Sequence, residues 1–435
     1  MYRSGRQRRV DPPCRRRARH AAVTSACADP HPPTLHPGDP GSGHRHPDPR
    51  AGDPPAAGAG GSHLRQALQP AARGCRARNG ARLLHDPRAG EGVGPGRPDR
   101  RQEPGSGQTD SRVRVIVLGG TRFIGRAAVE ELVSAGHDVL VVHRGMLEPD
   151  DMPTVEHLHA DRASLREHAG ALADFRPQAA LDCRALTRAD AQVALSSLPS
   201  GIRLVVISSI DVYRAFGSLH EGRETDSVPI DEDSPVRRER YPYRGKLPGY
   251  DEYDKLDVED VYLPAGATSL RLPMVYGEHD YQRREEYILR RVRAGRKRIP
   301  FGAGNWLPCR GYVRDIANGI RLALESDVAR GVPLNLCEDR THSVHLWSHM
   351  ILEAAQSEAV LVRVPDAVLP PDLEATGASQ QHILASSRRA RDLLGWSTSD
   401  PTAALRTSVA WHLAHPPDDA DPDFSADDAA LTSSE

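Results

Sequence analysis

The chain has 435 residues, and its 57 Lys plus Arg nearly balance its 59 Asp plus Glu, for a formal net charge of −2. That balance excludes the class of nucleic-acid binders whose whole chain is strongly basic. The absence of a three-residue glycine repeat excludes collagen. The six Cys include no CxxC pair, and no apolar run approaches the ~18 residues that span a bilayer, so we predict a cytoplasmic protein without a disulfide framework or a membrane span.

Residues 1–112 differ sharply from the rest of the chain. They contain 20 Arg, no Lys and ten Asp plus Glu, a charge of +10, together with 16 Gly, 16 Pro and one aromatic residue, Tyr2. Such a stretch cannot bury enough apolar surface to offset its conformational entropy, so we predict a disordered low-complexity segment. The remaining residues carry 37 basic and 49 acidic side chains, a charge of −12, and are numerous enough for one or two domains.

Two interpretations of this segment stay open. An arginine-rich arm can bind nucleic acid by neutralising phosphates. Alternatively, residues 1–112 come from a mis-assigned start and do not belong to the native protein. The chain uses 54 Arg and only three Lys, which indicates GC-rich coding, and out-of-frame GC-rich DNA reads as Arg, Pro, Gly and Ala. The folded pattern begins at Val113, a residue that a GTG start codon can encode.

From Val113 onward, strands and helices alternate at short spacing. Apolar, β-branched runs at 113–118 and 137–142 are typical of buried parallel strands, and the helical apolar period of 123–135 predicts a helix between them. Residues 154–159 alternate like a strand, and strands are also predicted over 178–182, 202–207 and 267–272. Further helices are predicted over 162–173, 187–198, 281–293 and 315–325.

This alternation predicts the domain organisation. An α/β fold with a Rossmann-like, doubly wound parallel sheet is expected over residues 113–277, because short βα repeats build parallel sheets. Residues 278–415 are expected to form a smaller C-terminal substrate-binding part. The acidic residues 416–435 are expected to be a disordered tail.

A glycine-rich turn, GGTRFIG, joins the first strand to the first helix. Gly119 permits a tight bend and Gly125 lets the helix pack closely on the sheet, so that the amides at the helix start face a pyrophosphate. Its place directly between a strand and a helix makes the turn a specific signal. The predicted cofactor-binding residues of the turn are Gly119, Gly120, Thr121, Arg122, Phe123, Ile124 and Gly125.

The motif resembles the nucleotide-binding turn of the extended short-chain dehydrogenase/reductases, the NAD-dependent epimerase/dehydratase group. The usual turn of that family is GxxGxxG. Gly119 and Gly125 match its outer positions, Arg122 replaces the middle glycine, and GGTRFIG is similar to the form found in an atypical branch. The resemblance implies an NAD(P) cofactor whose pyrophosphate lies beside this turn.

The segments after the second and third strands bear on the choice of cofactor. NAD binders place an Asp or Glu after the second strand to hold the ribose 2′-OH. This chain has His143-Arg144 there, and Arg144 suits a 2′-phosphate, so NADP is favoured over NAD. The alternative is that Arg144 is a solvated loop residue that binds no cofactor. Asp161 matches the family residue that contacts adenine, and its neighbour Arg162 is a further candidate cofactor-binding residue.

Catalytic residues are predicted on two further motifs. The sequence SSIDVY after the fifth strand is similar to the family's SSxxVY, which implies that Ser209 orients the substrate oxygen. The family's YxxxK pairs a proton-exchanging Tyr with a Lys, and Lys255 matches the lysine. The resemblance implies that Lys255 is both catalytic and cofactor-binding: it would hold the ribose and lower the pKa of the Tyr. Asp251 stands four residues before it, so the candidate tyrosines are Tyr253 and Tyr250. Tyr253 can reach the site if the helix begins just after it.

Two later residues extend the resemblance. The sequence RLPMVYG is similar to the family segment beside the nicotinamide, which implies that Pro273 is a cofactor contact. Arg310 matches an arginine that sugar-nucleotide members place on substrate phosphates, and it is the candidate substrate-binding residue.

A metal site is not expected from the sequence. His342, His345 and His349 share one helical face, a pattern that can bind a metal. No carboxylate or Cys clearly completes the set, so we predict no metal.

These motifs predict an NAD(P)-dependent epimerase, dehydratase or reductase that acts on a hydroxyl or keto carbon of a sugar or nucleotide sugar. The alternative is a catalytically impaired nucleotide-binding or RNA-binding member of the atypical branch, which the missing YxxxK favours. The −12 charge of residues 113–435 argues against a nucleic-acid partner. The expected partner is a small molecule, and the resemblance is compatible with a homodimer.

Overall fold

The computed structural model describes residues 112–418 and 423–433, which form an α/β protein around a large parallel sheet. Residues 1–112 were predicted to be disordered. All of them except Arg112 lie outside the described residues. Within the described part of the chain, no helix has both the length and the apolar character needed to cross a bilayer.

A seven-stranded sheet forms the centre of the fold. The strands of the described residues are β1 (Arg114–Leu118), β2 (Asp138–His143), β3 (Glu156–His159), β4 (Ala179–Asp182), β5 (Arg203–Ser209), β6 (Thr268–Leu272), β7 (Met274–Tyr276), β8 (Arg298–Phe301), β9 (Arg310–Tyr312), β10 (Pro333–Asn335) and β11 (Val360–Arg363). The sheet has the order β10-β6-β5-β4-β1-β2-β3, and all its neighbours run parallel. Two short parallel pairs, β7 with β9 and β8 with β11, lie outside it.

Helices cover both faces of the sheet. They are α1 (Phe123–Ser134), α2 (Ala169–Asp174), α3 (Arg188–Ser197), α4 (Arg214–Glu221), α5 (Lys255–Tyr262), α6 (Glu286–Arg293), α7 (Val313–Glu325), α8 (Val344–Ala354), α9 (Arg388–Leu394), α10 (Pro401–Ala414) and α11 (Ser425–Thr432). Val115 and Val117 of β1 join an apolar layer with α1 and α7, whereas Ile116 and Leu118 join a second layer with α3 and α5. This division follows from the alternation of side chains along a strand.

The parallel, Rossmann-like sheet confirms the predicted fold class, but two helices start later than expected. The helix predicted over 162–173 is α2, which begins at Ala169 after a 3-10 turn over Leu165–His168. The helix predicted over 281–293 begins only at Glu286. The side chain of Asp280 accepts hydrogen bonds from the amides of Gln282 and Arg284, at 2.9 and 3.2 Å, and holds that stretch in a turn. Strand β10, from the predicted substrate-binding part, joins the sheet edge beside β6, so the two predicted parts interleave.

The acidic tail predicted to be disordered over 416–435 contains a packed helix, so that prediction is wrong for α11. Asp427 forms a buried bidentate ion pair with Arg291 of α6, at 2.6 and 2.7 Å, and Leu431 is buried. Acidic composition is compatible with order when a buried cation compensates the charge, and the sequence pattern does not reveal that partner.

Candidate functional site

A cleft of about 900 Å³ lies at the carboxyl ends of β1, β2 and β4, where the strand order reverses. Ligands of open parallel sheets bind at such a reversal point. Tyr250 and Tyr253 form part of its wall. The predicted cofactor-binding residues that line this cleft are Gly119, Thr121, Arg122, Phe123, Ile124, Gly125, Arg144, Asp161 and Arg162.

The glycine turn brings two stretches of backbone into contact. Gly119 has φ +90°, a left-handed conformation that favours glycine, and its amide donates to the carbonyl of Val142 at 2.9 Å. A Cβ on Gly125 would lie 2.1 Å from the carbonyl oxygen of Gly119, and one on Gly120 would lie 2.8 Å from Cγ2 of Val129. The turn therefore needs glycine for steric reasons at these positions.

The amino terminus of α1 lines the cleft. Arg122 at the N-cap makes no side-chain capping hydrogen bond, and the first turn of the helix has no acidic residue. The amides of that turn and the positive end of the helix dipole can therefore hold an anion such as a pyrophosphate. The guanidinium of Arg122 lies over the ring of Tyr281, 5.8 Å from its centroid, and both residues belong to the cleft wall.

At the end of β2, the cleft wall consists of His143 and the exposed Arg144. Burial, followed by the charge of His157, lowers the pKa of the His143 imidazole. Glu148, further along the loop, pairs with His159 and is not part of the wall. The charged side chain that directly follows β2 is therefore a cation.

Asp161 and Arg162, which follow β3, have different surroundings. Arg162 forms a bidentate ion pair with Asp182 at the end of β4, at 2.7 and 2.8 Å, and Tyr262 donates to the same carboxylate at 2.6 Å. Asp161 is exposed on the cleft wall. Arg162 thus links the ends of two strands, whereas Asp161 is free to reach a ligand in the cleft.

Lys255 and Ser209 are buried and are not among the residues that line the cleft. Lys255 is fully buried, and its ammonium donates to the carbonyl oxygens of Ala185 at 2.7 Å and Ile207 at 2.9 Å. The Oγ of Ser209 accepts a hydrogen bond from the amide of Asp211 at 3.1 Å. These contacts hold both side chains at the ends of the central strands.

Tyr253 lies next to Lys255 because α5 begins late. The N-cap is Asp254, whose carboxylate accepts the amide of Leu256 at 2.9 Å and pairs with the buried Arg237 at 2.7 Å. Tyr253 therefore precedes the helix, and its ring centroid lies 6.0 Å from Nζ of Lys255. The fold brings together a Tyr and a Lys whose spacing would separate them on a continuous helix.

A carboxyl group that the motifs did not single out binds Tyr253. The hydroxyl of Tyr253 donates to Oδ2 of Asp211 at 2.8 Å, and that of Tyr243 does so at 3.4 Å. Oδ1 of Asp211 has no hydrogen-bond partner among the described residues. Burial raises the pKa of this carboxyl, although Arg237 acts in the opposite direction. Its place in SSIDVY, two residues after Ser209, is the signal that could have identified it.

Pro273 and Arg310 do not line the cleft, whereas Arg184, which the motifs did not predict, does. Arg310 is 5% exposed, stacks over Trp347 at 4.3 Å and donates to the carbonyl of His342 at 2.8 Å. Pro273 is buried between β6 and β7. Arg184 follows β4 and lies against the glycine turn, and the rule that ligands meet strand ends would have identified it.

The fold and the cleft define a class of protein: a Rossmann-like α/β protein with a nucleotide-type glycine turn at the switch point of its sheet. The family described as the NAD dependent epimerase/dehydratase family matches residues 115–337, more than half of the chain. The chain belongs to this family, which confirms the resemblance seen in the sequence.

Two solved structures share this fold, and one curated protein is similar in sequence. UDP-glucose 4-epimerase from Thermotoga maritima, with UDP-glucose, is 17% identical with a TM-score of 0.54 over 68% of this chain and 98% of that one. dTDP-glucose 4,6-dehydratase from Bacillus anthracis, in complex with NAD, is 14% identical with a TM-score of 0.55 over 70% and 97%. The chloroplast stem-loop binding protein of 41 kDa b of Arabidopsis thaliana is 24% identical over 341 residues, 74% of this chain and 85% of that protein.

Proposed function

We propose that the protein is an NAD(P)-dependent epimerase, dehydratase or reductase that acts on a hydroxyl or keto carbon of a sugar or nucleotide sugar. The observation that carries this proposal is the close contact of Gly119 with Gly125 at the uncapped start of α1, a cradle suited to a pyrophosphate. Membership in the family supports the same chemistry, since similar structures include an epimerase with UDP-glucose and a dehydratase with NAD.

The coenzyme would be held along the cleft wall. The amides that open α1 would bind its pyrophosphate, Asp161 its adenine and Arg144 a 2′-phosphate. When bound, the nicotinamide supplies or accepts the hydride at the substrate carbon. We favour NADP over NAD because a cation, Arg144, directly follows β2.

Proton exchange is assigned to Tyr253. As its oxygen takes the proton of the substrate hydroxyl, Tyr253 can pass its own proton to Asp211, 2.8 Å away, so that the number of protons is conserved. The raised pKa of Asp211 makes its carboxylate a stronger base. Lys255 lowers the energy of negative charge on this pair, and Ser209 would orient the substrate oxygen.

Coenzyme titration tests the cofactor assignment. We expect the full chain to bind NADPH more tightly than NADH, and Arg144→Ala to reduce that preference by about tenfold or more, since it removes a charge-assisted contact. Arg388→Ala, at an exposed position on α9, is the matched control. An unchanged preference in Arg144→Ala contradicts the NADP assignment, and failure to bind either coenzyme at millimolar concentration contradicts the proposed function.

Turnover of a panel of UDP- and dTDP-sugars tests the catalytic assignment. Tyr253→Phe should lower turnover by roughly 10²–10⁴-fold without weakening coenzyme binding, because only proton exchange is lost. Asp211→Asn should also lower turnover, because it removes the group that accepts the proton of Tyr253. Tyr250 also lines the cleft and is the alternative proton-exchanging residue. Loss of turnover in Tyr250→Phe, with normal turnover in Tyr253→Phe, would assign proton exchange to Tyr250 instead.

Nucleotide or RNA binding without catalysis is a second candidate function. Asp251 occupies the position of the YxxxK tyrosine, and the curated relative is named for binding stem-loops. The −12 charge of residues 113–435 opposes RNA binding by this part of the chain. Coenzyme binding without turnover of any sugar nucleotide would favour a catalytically impaired nucleotide binder.

A further inference from the structure

Three histidines and a glutamate form a cluster beside the cleft, where β2 and β3 end. His143 is the last residue of β2, His157 and His159 belong to β3, and Glu148 comes from the loop between the strands. His143 pairs with His159 in the parallel register. Because paired residues and alternate residues of a strand share a face, this register gathers the three imidazoles on one side of the sheet edge.

Three ligand atoms of this cluster, from His143, Glu148 and His157, are close enough to share one cation. Nε2 of His143 lies 2.8 Å from Nδ1 of His157 and 3.6 Å from Oε1 of Glu148, and these three atoms lie within 4.8 Å of one another. The same glutamate oxygen contacts Nε2 of His159. A tetrahedral zinc ion with bonds of ~2.0–2.1 Å holds its ligand atoms roughly 3.3 Å apart, so small shifts of His143, Glu148 and His157 would suffice. The exposed His159, which already contacts the glutamate oxygen, would have to turn further to complete the set.

We propose that His143, Glu148, His157 and His159 bind a divalent transition metal, with Zn²⁺ the ion that best suits three imidazoles and a carboxylate. Four protein ligands complete a tetrahedron and leave no open position, which is typical of a structural metal. Among the described residues, no second group of His, Cys, Asp and Glu side chains lies this close together, and the histidine triplet on and before α8 does not form one. The site is distinct from the proposed catalytic residues.

Metal binding would replace the contacts between the ligand atoms themselves and would change one further contact, with the backbone. The amide of Gly145 donates to Nδ1 of His143 at 3.2 Å, which leaves the ring proton on Nε2. Coordination through Nε2 requires the proton on Nδ1, so the peptide of Gly145 must turn away. Gly145 has φ +72° and, as a glycine, can change its conformation readily. The bound metal would then fasten the loop that carries Arg144 along the cleft.

The test is metal binding by the full-length chain, without an affinity tag and after treatment with a chelator. Titration with Zn²⁺ by calorimetry and with Co²⁺ by visible absorption should show one equivalent and the intense bands of tetrahedral cobalt. His157→Gln and His159→Gln each remove a ligand. Each should weaken that equivalent by more than ~100-fold, since loss of an outer-shell partner alone costs about 10- to 100-fold.

His345→Gln and His349→Gln are the matched controls. This exposed pair on α8, with ring centroids 4.7 Å apart, lies outside the cluster, and its loss should leave the Zn²⁺ equivalent unchanged. The chain also has seven His before residue 112, and binding by those residues would persist in His157→Gln. Persistence of the equivalent in His157→Gln, an octahedral cobalt spectrum, or no binding at all would overturn the proposal. Circular dichroism and thermal unfolding of the same variants without metal check that they fold.

Discussion

Glu285, the residue before α6, is buried, and neither of its carboxylate oxygens has a hydrogen-bond partner among the described residues. Burial, followed by the charge of Asp280, raises its pKa to about 8, against the opposing effects of Arg284 and Arg310. Nε2 of His412 lies 3.7 Å away, and burial lowers the pKa of that imidazole to about 4. At neutral pH, both Glu285 and His412 are therefore largely uncharged.

We expect Glu285 to make the protein less stable as the pH rises from about 4.5 to about 8. The Glu285 carboxyl keeps its proton to a higher pH in the native state than in the unfolded chain. Its contribution to the free energy of unfolding is therefore fully present below its pKa in the unfolded chain, and it is lost as the pH rises through its pKa in the folded state. The shift corresponds to a change in the free energy of unfolding on the order of 5 kcal/mol. Glu285→Gln should therefore gain stability relative to the wild type as the pH increases, as measured by denaturant unfolding.

Glu358→Gln is the control for this experiment. Its side chain is 88% exposed, so its substitution should leave the pH dependence as in the wild type. The same pH dependence in Glu285→Gln and the wild type would contradict the role assigned to the buried carboxyl.

Contacts between distant residues are the part of the site that the sequence does not reveal. Whether Tyr253 or Tyr250 meets Lys255 depends on where α5 begins. That start is set by Asp254, whose partner Arg237 lies 17 residues away. Asp211 likewise meets Tyr253 across 42 residues. The local spacing of residues around Lys255 predicts neither contact. The sequence could therefore only indicate two candidate tyrosines, Tyr253 and Tyr250.

Among the elements, the turn between β1 and α1 tolerates the least change. We expect Gly125→Ala to destabilise the protein by about 1–3 kcal/mol or more and to weaken coenzyme binding, because the new Cβ would lie 2.1 Å from the carbonyl oxygen of Gly119. Gly217→Ala, in the interior of α4, is the control. No atom lies within 4 Å of a Cβ built there, so it should stabilise by about 0.5–1 kcal/mol. Thermal unfolding with and without coenzyme measures both, and equal effects would contradict the steric argument.

The terminal helix α11 depends on one buried ion pair. Arg291 is fully buried and bonds both Asp427 and Asp372. Asp427→Asn leaves part of that charge uncompensated, at a cost of up to about 3–5 kcal/mol. We expect α11 to undock locally, and hydrogen exchange of residues 425–432 should rise.

Asp428→Asn provides the comparison for α11. Asp428 is 62% exposed where it pairs with Arg296, so its loss should leave exchange nearly unchanged. Equal protection of α11 in both variants would show that apolar contacts, not the ion pair, hold the helix.

Apolar runs predicted β1, β2, β4, β5 and β6, because strands buried on both faces are almost continuously apolar. The exposed edge strand β3 was predicted instead from its alternating pattern. The strands β7, β9 and β10 have three residues each, and β8 and β11 have four. Segments of that length carry little pattern of their own, so the sequence analysis did not identify them. β3 and β4 also have four residues each, but they lie within longer strand-like runs, at 154–159 and 178–182. Their pairing is set by contacts with distant strands.

For the molecule as a whole, charge is divided unequally along the chain. Residues 1–112 carry +10 and residues 113–435 carry −12. RNA binding requires neutralisation of phosphates, so we expect any affinity of the full chain for stem-loop RNA to depend on residues 1–112 and to fall as salt increases. A chain that begins at Arg112 should not bind RNA at physiological salt, as measured by fluorescence anisotropy. Binding by that shorter chain would favour the second candidate function.

The burial of Lys255 has a practical consequence for chemical labelling. The chain has three lysines, and Lys246 and Lys297 are exposed, whereas Lys255 is enclosed and held by two carbonyl oxygens. Amine-reactive dyes or supports should therefore acylate Lys246 and Lys297 and spare Lys255, which peptide mass spectrometry can verify. The protein could then be immobilised or made fluorescent through its lysines without modifying the ammonium beside Tyr253.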